Sequence, residues 1–184
     1  NNQYAGLIGL DIDSHNQLIG DYLPNEKGIN PIMLLDKKCK GDKKYVVRSD
    51  CYRKVAPMPS FENEKNFNPH YLILKLSMHY KFLVLNKPLC IVDYQQDGMS
   101  ANIFNQYLDS PNSFAELRKL ILQFDLRFSY LYKTAIHYVS SCLIAKKKNI
   151  VKSSPRRFLT AIAYPEGVLL SKIIKYKIYL QKDV

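Results

Sequence analysis

The sequence predicts an α/β protein with a small mixed sheet, flanking helices and a helical C-terminal tail. Up to about residue 94, short apolar runs alternate with segments rich in Pro, Gly and Asn, which is typical of strands and turns. Beyond residue 110, apolar residues recur at helical spacing over longer segments. We therefore expect a sheet-containing portion over residues 1–110 and a basic helical extension, packed on it, over residues 111–184.

The expected strands are short, and the first is the clearest because it is apolar and free of charge. The five predicted strands are Tyr4–Leu10, Gln17–Tyr22, Tyr45–Arg48, Phe82–Leu85 and Leu89–Tyr94. Asn86, Lys87 and Pro88 separate the last two, since Pro cannot donate to a sheet ladder. Asp11–Asn16 is expected to be an exposed turn, because Asp and Asn form local hydrogen bonds to the backbone.

The helices are predicted from apolar spacing and from residues that favour helix starts. Ser49 or Asp50 is expected to cap the second helix, and Ser113 with Glu116 forms a capping-box pattern. Asp125 is expected to cap a long helix that runs through Lys148. The predicted helical segments are Pro31–Asp36, Ser49–Val55, Pro69–Tyr80, Ser100–Leu108, one from Ser113, Asp125–Lys148, one from Ser154 to Pro165, and Val168–Gln181.

Composition places the chain among globular proteins. No apolar run approaches the roughly 20 residues that span a bilayer. The four cysteines stand far apart, which favours reduced thiols in the cytosol over a zinc site or a disulfide framework. The chain starts at Asn1 without a Met or a signal peptide, so we expect a fragment of a longer protein.

Positive charge is concentrated at the C-terminal end. From Lys146 onward, ten basic residues oppose only Glu166 and Asp183, which accounts for +8 of the net +11. Aliphatic and Tyr residues are interleaved with these lysines and arginines. This pattern suits an anionic membrane surface, and a nucleic-acid surface or an ordinary solvated helix face would show similar composition.

An acidic loop, Phe61–Lys65, precedes the helix expected at Pro69. Its carboxylates, Glu62 and Glu64, are candidates for a general base, because a neutral alcohol must lose its proton to become a good nucleophile. Spacing alone equally allows two surface glutamates that balance Lys65. The order of the elements around the loop favours the catalytic interpretation.

That order resembles the acceptor-side half of bacterial family 2 glycosyltransferases, which make cell-surface glycans such as capsular polysaccharide or exopolysaccharide. The resemblance covers nearly the whole chain, and it rests on the order and spacing of its motifs. The segments that carry it are Ala5–Leu10, Gly41–Arg48, Phe61–Lys65, Leu85–Leu89, Asp93–Gly98, Ser110-Pro111, Ile136–Ser141, and the tail from Ser154-Pro155 to Gly167–Leu170.

The resemblance implies a partial GT-A fold and an inverting transfer from a nucleotide-sugar donor to a glycan or lipid-linked acceptor. Glu64 is the first choice for the base, Glu62 the second, and His70 the third, where many related enzymes place a carboxylate. The residues expected to contact donor or acceptor are Lys43, Lys44, Arg48, Asp97, Gly98 and Ser100. The location implied is the cytoplasmic face of the cell membrane, with no nucleic-acid partner.

Such enzymes bind a divalent Mn²⁺ or Mg²⁺ through an Asp-x-Asp motif that would lie upstream of Asn1. Asp11-Ile12-Asp13 has the same spacing, but by order it follows the metal strand of the family, and we interpret it as a turn. We therefore assign no metal ligand within this chain and expect the chain alone to be inactive. The alternatives are a non-catalytic basic module that binds a membrane or nucleic acid, and a structural relative that scaffolds a glycan-synthesising complex.

Overall fold

The computed structural model of the chain describes residues 3–37, 39–93 and 103–182. The chain forms two compact units. One comprises Asn1–Met58 and Leu72–Gln95, and the other comprises Pro59–Tyr71 and Gln96–Val184. We call them the sheet unit and the helical unit. The domain boundary predicted at residue 110 stays a prediction. The acidic loop belongs to the helical unit by its contacts.

The sheet unit contains a four-stranded mixed sheet in the order β2-β4-β1-β3. Strands β1 and β4 are parallel, whereas β3 pairs with β1 and β2 pairs with β4 in antiparallel fashion. The predicted α/β class with a mixed sheet is thereby confirmed. The strands are β1 (Tyr4–Ile12), β2 (Gly28–Ile29), β3 (Lys43–Val47) and β4 (Lys81–Ile91).

The apolar residues of β1 form the centre of this unit. Ala5, Ile8 and Leu10 are buried together with Phe82 of β4, and the ring of Tyr45 packs edge-on against Phe82 with centroids 5.4 Å apart. Among the described residues, three helices accompany the sheet, and the first two match the predicted segments closely. They are α1 (Ile32–Asp36), α2 (Ser49–Val55) and α3 (His70–Ser77), of which α3 begins in the helical unit.

Gly6 allows β1 and β3 to approach closely. A side chain at this position would run into the main-chain carbonyl of Val46 on β3. Because a backbone carbonyl in a paired strand cannot move aside, only glycine fits there. Glycine at this position thus allows β1 to pair closely with β3 on one edge while it pairs with β4 on the other.

Two strand predictions need correction. Residues 82–94 were expected to form two strands, but β4 is continuous from Lys81 to Ile91, with its register to β1 shifted between Val84 and Pro88. The strand predicted over Gln17–Tyr22 is reduced to a single bridge between Ile12 and Leu18. The exposed turn predicted over Asp11–Asn16 is shorter than expected, because Asp11 and Ile12 belong to β1 and Asp11 is buried. Asp13 closes the turn, since its Oδ1 accepts the amides of His15 at 2.9 Å and Gln17 at 2.8 Å.

In the described part of the helical unit, five helices surround a second apolar core. Leu122, Ala135, Val139 and Cys142 are almost fully buried in it. Gly167 faces Val139, and any side chain at position 167 would press on that valine. Glycine therefore permits close packing of the helices that carry these two residues. The helices are α4 (Ile103–Asp109), α5 (Pro111–Ile121), α6 (Phe128–Ile144), α7 (Arg157–Ile162) and α8 (Tyr164–Lys182).

The three predicted side-chain caps are wrong. Helix α2 follows Arg48, α5 begins at Pro111 instead of Ser113, and α6 begins at Phe128; none of them has a side-chain cap from its own N-cap residue. The capping-box pattern fails because Ser113 lies inside the first turn of α5, where its hydroxyl has another partner. The predicted long helix also ends at Ile144 rather than Lys148.

Arg156 satisfies the C-terminal end of α5. Its Nε donates to the carbonyl of Leu122 at 3.1 Å, and its Nη2 donates to that of Phe124 at 2.7 Å. The last carbonyls of a helix have no partner within the helix and carry partial negative charge. A guanidinium therefore stabilises this end, and the carboxylate of Asp125 lies 3.7 Å from the same Nη2.

Candidate functional site

The acidic loop is held in place by aromatic contacts. The rings of Phe61 and Phe67 are stacked with centroids 6.2 Å apart, and Phe67 packs edge-on against Tyr71 at 5.0 Å. The amide of Asn66 also donates to Ser110 Oγ at 3.3 Å, just before α5. The loop is thus fixed to the helical unit on both sides of Glu64.

Glu64 caps α5 from a distance of 48 residues along the chain. Its Oε1 accepts the backbone amide and the side-chain amide of Asn112, each at 2.8 Å. Its Oε2 accepts the backbone amide of Ser113 at 2.8 Å and the Ser113 hydroxyl at 2.6 Å. Both carboxylate oxygens are therefore engaged, and they meet the positive end of the helix dipole.

These contacts decide the protonation state of Glu64. Partial burial acts to raise its pKa, but the hydrogen bonds from Ser113 and Asn112 outweigh that effect, so the pKa is lowered overall. A carboxylate that is stabilised as an anion by four donors is a weak base, and it has no lone pair directed at a substrate. The catalytic role of Glu64 stays a prediction, and this geometry argues for a structural role.

The other two base candidates have different surroundings. Glu62 is exposed and makes no hydrogen bond or ion pair with another described residue, on a turn in which Asn63 has a φ of 63°. His70 begins α3, where its backbone amide donates to Asn68 Oδ1 at 2.9 Å. Glu62 is thus a carboxylate that the anchored loop presents to solvent.

Lys147 adds a positive charge next to this loop. Its ammonium lies 5.5 Å from the centroid of the Phe61 ring, which is a cation–π distance. Sequence reasoning counted Lys147 among the basic tail residues and did not connect it with the acidic loop. The connection depends on the end of α6 reaching the loop, for which the sequence carries no local signal.

A second cationic group of the helical unit is partly buried. The guanidinium carbon of Arg118 lies 5.0 Å from the ring centroids of both Tyr107 and Phe114, and Nη1 donates to Ser141 Oγ. Burial lowers the pKa of Arg118 to about 10, so it stays charged at neutral pH. Burial, with the nearby charges of Arg118 and Lys133, lowers the pKa of His137 to about 4, so this imidazole is neutral.

The residues predicted to meet a diphosphate lie on or next to β3 in the sheet unit. Arg48 donates to both oxygens of Asp50, at 3.1 and 2.6 Å, and this pairing raises the pKa of Arg48 and lowers that of Asp50. Lys43 Nζ donates to the carbonyls of Lys40 at 2.7 Å and Gly41 at 3.2 Å. A diphosphate would compete with these partners, whereas the side chain of Lys44 makes no hydrogen bond or ion pair with another described residue.

The C-terminal edge of the parallel pair carries polar residues. Strand β1 ends at Ile12, which is paired with Ile91 at the end of β4, so the chain leaves both strands at one edge. Asp11 is 2% exposed there, and its Oδ1 has no hydrogen-bond partner among the described residues. Burial raises the pKa of Asp11, against the opposing effect of Lys44.

The predicted contacts Asp97, Gly98 and Ser100 follow β4 and lie outside the described residues. Over the described ranges, no group of three His, Cys, Asp or Glu side chains is arranged to hold a metal ion. In the same part of the chain, no helix combines the length and the apolar character needed to cross a bilayer.

Comparison of the chain with models of known protein families, with curated proteins and with solved structures finds no match. The family resemblance of the sequence therefore remains a prediction. The geometry itself provides an anchored loop with an exposed carboxylate and a nearby ammonium in the helical unit. In the sheet unit it provides a polar edge where two parallel strands end.

Proposed function

We propose that this chain is the acceptor-side part of a family 2 glycosyltransferase with a GT-A fold, acting in bacterial cell-surface polysaccharide synthesis. The observation that carries the proposal is the common end of β1 and β4, at Ile12 and Ile91. Ligands of α/β proteins bind at the carboxyl ends of parallel strands, and the segments that resemble the family's substrate loops follow that edge.

The proposed reaction is a single displacement with inversion. Glu62 accepts the proton of the acceptor hydroxyl, whose oxygen bonds to the anomeric carbon of the donor sugar. The bond from that carbon to the diphosphate breaks, and the nucleoside diphosphate leaves with the electron pair. Its charge is expected to be neutralised by Mn²⁺ or Mg²⁺, with ligands mostly outside this chain.

We assign the base role to Glu62 because Glu64 is occupied at α5. In this proposal Glu64 is a positioning residue that fixes the loop, and His70 is the second candidate for the base. Lys44 and Arg48 are proposed to face the donor diphosphate, and Arg48 would have to exchange Asp50 for phosphate oxygens.

The proposal implies a longer parent protein that also carries the donor half. The test uses that protein, purified and mixed with a panel of nucleotide sugars and a glycan or lipid-linked acceptor. We expect release of nucleoside diphosphate that requires both the acceptor and a divalent cation. The present chain alone should release none. A parent protein that binds anionic membranes but consumes no nucleotide sugar would instead support the non-catalytic binding module.

The proposed location is the cytoplasmic face of the cell membrane. Helices α7 and α8 expose large apolar side chains: Phe158 is 81% exposed, Leu169 59% and Tyr176 63%. Leu169, Ile173 and Tyr176 share one face of α8 by their spacing. Exposed lysines on the same helix complement anionic headgroups, as in amphipathic helices that lie in the membrane interface.

We expect the chain to bind vesicles with anionic lipid more strongly than neutral vesicles at low salt. Phe158→Asp with Leu169→Asp should weaken that binding by about tenfold or more, because apolar insertion and charge attraction are both reduced. Tyr22→Asp with Tyr52→Asp, at exposed positions of the sheet unit, is the control with the same charge change. Co-sedimentation measures binding, and equal binding to both vesicle types would contradict the proposal.

A further inference from the structure

A small cavity in the helical unit is lined by three lysines. It measures about 150 Å³ and is bounded by Lys119 of α5 and by Lys147 and Lys148 after α6, with Cys142 and Ser153 among the other lining residues. Cavities of this size hold a benzene-sized ligand, and a diphosphate group is of similar bulk. The cavity therefore combines room for a small anion with three cationic side chains.

In the part of the chain that the structure describes, the three ammonium groups have no acidic partner at close range. Within the described residues, no carboxylate lies within ion-pair distance of Lys119, Lys147 or Lys148. Glu116 also lines the cavity, but it is the hydrogen-bond partner of the Tyr71 side chain. Three cations around one cavity repel each other, so a bound anion would stabilise them.

Carbonyl groups at the end of α6 already have backbone amides as hydrogen-bond partners, so they do not need the lysine side chains. Lysines often complement the last carbonyls of a helix. Here the amide of Lys147 donates to the carbonyl of Cys142 at 2.8 Å, and the amide of Lys146 donates to that of Leu143 at 3.2 Å. Burial raises the pKa of the Cys142 thiol, against the opposing effects of its hydrogen bond with Tyr138 and of the charges of Lys147, Lys119 and Arg118.

A broader pocket of about 570 Å³ adjoins the cavity and shares Lys147, Lys148 and Ile150 with it. Leu143, Val151 and Tyr164 give this outer pocket apolar and aromatic walls. A ligand that fits both spaces carries an anionic group at one end and an apolar or ring-shaped part at the other.

We propose that the lysine-lined cavity binds the phosphate or diphosphate group of a larger ligand, whose remainder occupies the outer pocket. Lys147 lies over Phe61, so the bound anion would be next to the acidic loop. If the proposed function holds, this ligand is the phosphate-bearing acceptor, and the loop then faces its sugar. That last identification rests on the proposed function, whereas the anion site rests on the cavity alone.

The experiment is a calorimetric titration of the whole chain with inorganic diphosphate, at fixed ionic strength. We expect saturable binding of one diphosphate per chain. Replacing Lys119, Lys147 and Lys148 by Gln should weaken it by about tenfold or more, because charge-assisted hydrogen bonds are lost. The control replaces the exposed residues Lys133, Lys172 and Lys175 by Gln, which lowers the net charge equally.

Absence of diphosphate binding would overturn the proposal, and so would an equal loss in the two triple variants. A second variant guards against misfolding: Ser153→Asp puts a carboxylate at the exposed rim of the cavity and should also abolish binding. Ser129→Asp, exposed at the start of α6, should leave binding unchanged. Circular dichroism must show that Ser153→Asp is folded, so that a loss of binding reports on the cavity. Binding that survives Ser153→Asp would count against the site.

Farnesyl diphosphate identifies the source of the phosphate. Tighter binding of this probe than of inorganic diphosphate supports a lipid-linked ligand, because its apolar chain would bury surface in the outer pocket. Equal binding supports a soluble phosphate ester. Since no sugar transfer is measured, these results stand whether or not the parent protein proves to be a glycosyltransferase.

Discussion

Glu64→Ala is expected to lower the free energy of unfolding of the helical unit by about 2–4 kcal/mol. The substitution removes four hydrogen bonds, two of them from backbone amides in the first turn of α5. These amides have no partner within the helix, so the loss leaves donors unsatisfied. Urea denaturation followed by far-ultraviolet circular dichroism measures the effect.

Glu62→Ala is the matched control, because it removes an exposed glutamate from the same loop that makes no hydrogen bond or ion pair with another described residue. It should change stability by less than about 0.5 kcal/mol. The pKa of Glu64 is lowered in the folded state, so its contribution is present above its ordinary value of 4.5 and is lost in stronger acid. The difference between wild type and Glu64→Ala should therefore narrow below that pH. A variant as stable as wild type at neutral pH would remove Glu64 as the cap.

Glu62→Gln in the longer parent protein is expected to reduce turnover by about 10²–10⁴-fold, the usual contribution of a general base. Glutamine has the size of glutamate but cannot accept the hydroxyl proton. Donor binding should be unchanged, because the substitution leaves the nucleotide pocket intact. Release of nucleoside diphosphate measures turnover, and titration with the donor in the absence of acceptor measures binding.

Glu64→Gln in the same parent separates the two glutamates. If Glu64 is the positioning residue, Glu64→Gln should lower the stability of the protein, and turnover should fall only where the loop detaches. Turnover should recover at lower temperature, where the loop is again anchored. If Glu64 is the base, as the family resemblance favours, turnover is lost at every temperature. Undiminished turnover in Glu62→Gln would transfer the proposed role to His70 or Glu64.

The sheet was only partly predictable from local sequence. Pro88 indicated a break because proline cannot donate to a ladder, yet β4 passes through it. Strand β2 pairs with β4 only at Phe82 and Leu83, so among the described residues Pro88 has a strand on one side alone, where it lies opposite Leu10. Proline is tolerated at position 88 because no strand on its other side requires a hydrogen bond from it. Whether such a strand is present depends on the length of β2, which the sequence around Pro88 does not reveal.

The candidate functional site was also only partly predictable from local sequence. Ser113 and Glu116 have the spacing of a local cap, but the cap of α5 comes from Glu64, which local patterns cannot reveal. Sequence reasoning did single out the acidic loop, since charged residues between apolar segments are conspicuous. It assigned chemistry to the glutamate that the structure uses as an anchor, because exposure depends on tertiary contacts.

The discontinuous make-up of the helical unit has a consequence for its synthesis. Pro59–Tyr71 leaves the ribosome well before α5 and α6, and Leu72–Gln95 of the sheet unit follows in between. The strands of the sheet unit can therefore pair before Asn112 and Ser113, whose amides donate to Glu64 in the folded chain, are available. We expect a stalled nascent chain whose residues up to 110 have left the ribosomal exit tunnel to show a protease-resistant sheet and an acidic segment that is still cut.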